Sequence, residues 1–146
     1  MGKNATTLLM LLSIAINKRA HAITGRVNWL KVMILAEMQG VRGLAYEALE
    51  LLKQDDAGCT DFPDNATLMQ WYAQTDYVET AYAKHVALAN DVAICWRQKG
   101  IKTIVFKGMA HSRYYPRAEH REFGDFDCYL IYALIICLYH LVLLIF

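Results

Sequence analysis

The sequence lacks several features that would settle a function at sight. Its four cysteines, Cys59, Cys95, Cys128 and Cys137, lie far apart, and none forms a CxxC pair or a Cys/His pair at metal-ligating spacing. That argues against both a zinc site and a disulfide framework, and the thiols read as the reduced cysteines of a cytoplasmic protein. An excess of one charge is also missing, with 15 Lys+Arg against 14 Asp+Glu and a sequence pI of about 7.7. A general nucleic-acid coat or an acidic solvating tail needs a large field of one sign, so both are excluded. No internal repeat and no low-complexity linker is visible, and 146 residues amount to about one domain.

Apolar residues are what the chain has in excess, 56% of the total, and the excess sits in one place. Residues 129–146, YLIYALIICLYHLVLLIF, are apolar at 17 of 18 positions, and the remainder is ordinary in this respect. A smaller apolar run, Leu8 to Ile16, precedes Ala20-His21-Ala22 and imitates a secretory leader. Asn17, Lys18 and Arg19 fall where a leader is normally uncharged, so the run reads as a first amphipathic helix.

Apolar spacing predicts helices over 5–20 and 28–54, the second capped by Asn28 and broken near Gly40 and Gly43, with a loop over 58–63. A long helix then runs from Asp64 to Gly100. Trp71, Thr75, Val78, Tyr82, His85, Ala89, Val92 and Trp96 recur by threes and fours and mark one continuous face, on a helix roughly 50 Å long if unbroken. His85 reads as a packed core histidine, because no His, Cys or acid accompanies it at i+3 or i+4. Ile101 to Phe106 is a short β-branched run, Met109 to Tyr115 a short helix ended by Pro116, and Phe126 to Ile131 a second strand.

Charge is less even than its sum. Residues 37–91 hold ten acids and three bases, whereas 97–121 hold seven bases and only Glu119 as an acid. A solvated face is the usual meaning of such a run, but here the bases abut Gly124-Asp125-Phe126-Asp127. Asp125 and Asp127 are two apart in a strand-like segment, so both carboxylates project from one face and can share a hard cation. Gly124 leaves room for close backbone approach. Lys107-Gly108 closes a strand and opens a helix, where backbone N–H groups and a lysine converge on a place for an anion; a helix start with a surface lysine explains the same residues. Arg121, four residues before Asp125, either neutralises a phosphate or ion-pairs with that acid.

The run Lys107-Gly108, Tyr115-Pro116, Arg121, Gly124-Asp125-Phe126-Asp127 resembles the signature of the uncharacterised nucleotidyltransferase family, within the DNA polymerase beta-like nucleotidyltransferase superfamily. Asn28-Trp29-Leu30 to Ala36, Gln39-Gly40-Val41 and Leu44, and the long helix ending in Gly100-Ile101, are similar to the helical region preceding that core. The resemblance covers roughly residues 5–131. It implies an α+β fold: a helical region over 1–100, the first strands and helix of an incomplete mixed sheet over 101–131, and a hydrophobic tail over 132–146. It also implies Mg²⁺ held by Asp125 and Asp127 as catalytic carboxylates, and a nucleoside triphosphate gripped by Lys107, Gly108, Arg121 and Gly124. Superfamily members usually carry Gly-Ser where this chain has Lys107-Gly108. The implied reaction is attack of an acceptor hydroxyl, of unknown identity, on the α-phosphate.

The superfamily completes its site with a third carboxylate on a later strand, and no Asp or Glu follows Asp127 here. The expectation is therefore an impaired nucleotidyltransferase, with a non-catalytic nucleotide-binding protein or a membrane-associated interaction protein as the alternative. Three readings of residues 129–146 stand: a chain shortened or shifted in frame, a membrane segment approaching the roughly 20 residues a span needs, and a buried element.

Overall fold

The structure, a computed structural model, describes residues 2–54, 61–122, 124–132 and 140–144. Four helices come first: α1 (Lys3–Asn17), α2 (Trp29–Met38), α3 (Arg42–Gln54) and α4 (Asn65–Gln98). The strand β1 (Ile101–Phe106), a five-residue helix α5 (Gly108–Ser112), a 3-10 turn (Ala118–His120), β2 (Asp125–Tyr132) and β3 (His140–Leu144) follow. The class is α+β, as the sequence implies.

Each helix buries the face its spacing marks out. Leu8, Leu11, Ile14 and Ala15 of α1, Val32, Met33 and Ala36 of α2, and Leu44, Ala45, Ala48, Leu49 and Leu52 of α3 form one core with Trp71. The first helix stops at Asn17, short of the expected residue 20. Asn17 turns its side-chain amide back onto the Ser13 carbonyl at 2.8 Å, and Lys18 takes a left-handed cap conformation with its N–H on the Ile14 carbonyl. The break between α2 and α3 falls at Gly40, where φ is +64° and glycine relieves the steric cost of the turn. Asn28 caps α2 by accepting from the Lys31 N–H at 3.0 Å, as expected.

The long helix ties the two halves together. All eight residues of its marked face are buried or half-buried. Trp71, fully enclosed, donates its indole N–H to the Arg42 carbonyl at 3.1 Å and anchors α4 to the start of α3. Ala89 and Val92, near the other end, pack beneath the sheet against Phe126, Cys128, Val105, Met109 and Leu130. Asp64 caps α4 by accepting from the Thr67 N–H at 2.7 Å, and that bond holds its carboxyl below the usual carboxylate range.

The sheet has the order β1-β2-β3, with β2 in the centre. Both pairings are antiparallel, with Phe106 opposite Asp127 on one side and Leu144 and Val142 opposite Asp125 and Asp127 on the other. The parallel member of a mixed sheet is therefore not among the described strands. Of the apolar tail, residues 129–132 continue β2 and 140–144 form β3, while 133–139 and 145–146 lie outside the described residues. No helix among the described residues is long and apolar enough to cross a membrane. Cys95 and Cys128 are free thiols; Cys59 and Cys137 lie outside the described residues.

Candidate active site on the central strand

Alternation along β2 sorts its side chains. Phe126 and Cys128 are buried in the core cluster over α4, which assigns Asp125 and Asp127 to the opposite face. Asp125 is exposed. Asp127 is only 4% exposed, and its Oδ2 lies 3.2 Å from the Lys107 ammonium, itself 61% exposed. A buried carboxylate is costly without a partner, and here the cation reaches it from the solvent side. Burial first, and the Asp127 charge second, push the Cys128 thiol up, so this cysteine stays protonated and is no nucleophile.

The lysine comes within reach because of an unusual backbone. Lys107, directly after β1, has φ +56° and ψ −133°, a region that essentially only glycine enters without cost. This is the position where the resembled superfamily usually carries glycine. The strain, on the order of 1–3 kcal/mol, is held at the residue that meets Asp127. Comparing Lys107→Ala with Lys107→Gly separates the two effects: both lose the ammonium, but only glycine removes the strain. The glycine variant is expected to be more stable than the alanine variant by about 1–2 kcal/mol, less than the full strain because glycine loses more chain entropy. Equilibrium urea unfolding of the two variants measures this, and equal midpoints would show that the backbone stores nothing there.

Gly108 is buried at the start of α5. That helix covers five residues rather than the expected 109–115, so it brings little of the helix dipole. Gly124 opens onto empty space: a side chain there would meet nothing within 4 Å. Immediately before Asp125 the backbone is thus uncovered.

Arg121 is placed elsewhere. It donates to the Glu122 carbonyl at 2.6 Å and lies 5.9 Å from the Tyr115 ring. It lines a cleft with Arg42, Tyr77, Val78, Ala81, Tyr82, His85 and Glu122, which includes neither the acid pair nor Lys107. Among the described residues it makes no ion pair with Asp125. His85, on this cleft, is half-buried and bonds the Ala81 carbonyl through Nδ1 at 2.8 Å.

The residues the sequence did not point to are those that hold the approach to β2. His120, fully buried, places Nδ1 3.2 Å from Glu47 Oε2 and Nε2 2.9 Å from Glu79 Oε1. Glu47 also pairs with Lys18. Arg117 meets Glu79 at 2.9 Å, Glu119 at 3.2 Å and Glu50 at 3.5 Å. Gly43 permits this approach, because a Cβ there would come within 3.0 Å of His120 Cβ. The acid-rich and base-rich segments were the available signal, and they neutralise each other here.

Among the described residues no group of three or more His, Cys, Asp or Glu gathers as a metal site. The acid pair stands as two oxygen donors on one strand face. A protein-family model described as an uncharacterised nucleotidyltransferase matches residues 25–131, from before α2 to the end of the acid-bearing strand. No curated protein and no solved structure matches the chain.

Proposed function

The chain belongs to the uncharacterised nucleotidyltransferase family, and from that membership we propose that β2 binds a magnesium-bound nucleoside triphosphate for transfer of the nucleoside monophosphate to an acceptor hydroxyl. The observation that carries this reading is the pair of carboxylates on one face of the central strand, with the Lys107 ammonium already at Asp127. The donor set fits a hard cation: two carboxylate side chains two residues apart, one held firmly by burial and one open to solvent. Mg²⁺, held by Asp125 and Asp127 together with phosphate oxygens, would stabilise the charge that develops at the α-phosphate.

The chain's own residues do the rest. Burial and the ion pair fix Asp127 in one orientation, so little ordering cost remains when a ligand arrives. Lys107 has a long, largely exposed side chain whose ammonium can pass from Asp127 to a phosphate oxygen. The uncovered backbone at Gly124 keeps bulk away from the start of the acid-bearing strand.

Turnover is proposed to be slow. On β3 the cross-strand partners of the two acids are Leu144 and Val142, so no third carboxylate stands there to take the acceptor's proton. Incubation with Mg²⁺ and nucleoside triphosphates labelled at the α-phosphate tests both parts. The expected result is Mg²⁺-dependent retention of nucleotide with little label transferred. Strong labelling that disappears in Asp125→Ala would overturn the impairment, and failure to retain any of the four common nucleotides would overturn the reading itself.

A further inference from the structure

We propose that the cleft around Arg121 is an oxyanion-binding subsite, separate from the acid-bearing face, that seats an anionic group of the acceptor. The acceptor assignment rests on the nucleotidyl-transfer reading, whereas the anion site itself rests on the cleft alone.

Size restricts the occupant first. The cavity is about 100 Å³, well below the roughly 300–1,000 Å³ of pockets that enclose a whole small molecule. A base with its ribose does not fit, but a single phosphate or carboxylate does.

Charge then selects the sign. Two arginines and one glutamate line the cleft. Arg42 occupies Glu122 fully, donating its backbone N–H and Nε to Oε1, each at 3.1 Å, and meeting Oε2 at 3.0 Å. Arg42 has a second partner in Glu37 at 3.5 Å. Arg121 differs from Arg42 and from Arg117: among the described residues it has no carboxylate partner, only the Glu122 carbonyl and the Tyr115 ring. A guanidinium carries five N–H donors in a planar fork that matches an oxyanion, and Arg121 spends only part of that capacity. Among the described residues Arg121 is thus the cleft's guanidinium that no carboxylate neutralises, and Tyr82 and His85 line the α4 side.

Position ties the cleft to the chemistry. Arg121 is four residues before Asp125, at most about 14 Å of extended chain. An acceptor anchored by its anionic group at Arg121 has the reach to bring a hydroxyl to the acid face while the nucleotide occupies that face.

Calorimetric titration of the full chain with inorganic phosphate, with and without saturating Mg²⁺-nucleotide, tests the proposal. Wild type is expected to bind phosphate saturably, Arg121→Gln at least tenfold more weakly with an unchanged melting temperature, and Asp127→Asn within twofold of wild type. Arg121→Lys, which keeps the charge but loses the fork, is expected to fall between wild type and Arg121→Gln and guards against a folding artefact. Phosphate binding by Arg121→Gln as tight as wild type would overturn the site. Competition between phosphate and Mg²⁺-nucleotide would overturn the acceptor assignment, because the cleft would then belong to the nucleotide's own phosphates. If no nucleotide binds at all, the nucleotidyl reading and the acceptor assignment fall together, while loss of phosphate binding in Arg121→Gln would still support the anion site.

Discussion

His120→Ala is expected to lower the unfolding free energy by about 2–4 kcal/mol, from the cavity it leaves and the buried hydrogen bonds it removes. The imidazole has no exposed surface, and each ring nitrogen faces a glutamate, at 3.2 Å and 2.9 Å. Alanine therefore removes both of these carboxylate contacts at once. It leaves Glu47, 4% exposed, with Lys18 as its ion-pair partner and opens a cavity between α3 and α4. His120→Gln, which fills part of the cavity and keeps an amide donor, is expected to cost less than alanine. Urea unfolding measures both, with the midpoint falling and the slope unchanged. A loss under about 1 kcal/mol for alanine would show that solvent already screens the cluster.

The cluster also explains how a helical region can position an active-site strand. His120 and Arg117 grip α3 and α4, and Arg42, at the start of α3, holds Glu122, the third residue before Asp125. The chain enters β2 from a segment clamped on three sides. Loosening that clamp is therefore expected to affect the acids as well as the fold.

Local periodicity was legible in the sequence, and long-range pairing was not. The α4 face is legible residue by residue, because burial on one side of a helix repeats every three to four positions whatever lies opposite. Asp125 and Asp127 were likewise assigned to one face by alternation alone. The seven bases of 97–121 read as neighbours of the acid motif, but Arg117 and His120 find their partners 38 and 73 residues away. A charge run states that counter-charge is needed without naming its source. The backbone of Lys107 was equally hidden, since a lysine at positive φ contradicts its own preference and is imposed by the turn out of β1. The same holds for the end of α1, set by Asn17 folding onto Ser13 rather than by any loss of apolar spacing.

Asp127→Asn is expected to abolish Mg²⁺-dependent nucleotide binding, by at least about 100-fold, while leaving the fold nearly intact. Replacing partners that merely orient a metal ligand already costs about 10–100-fold in affinity, and here one of two proposed ligands loses its charge. The fold should tolerate the change because asparagine is isosteric and the cation it deserts is not buried. Lys107 is 61% exposed and regains water when the ion pair is lost, which limits the cost to about 1 kcal/mol. Asp125→Asn serves as the companion, with a similar loss of binding and a smaller effect on stability because Asp125 is already solvated. Calorimetry with nucleotide in Mg²⁺ and in chelator separates metal-dependent binding from any attraction between phosphate and the basic segment. If Asp127→Asn binds Mg²⁺-nucleotide as tightly as wild type, the buried carboxylate serves only as the counter-charge for Lys107, and the acid pair is structural. If binding is lost with folding preserved, the strained lysine acquires a reason: it holds the buried carboxylate oriented until the metal-bound nucleotide takes its place.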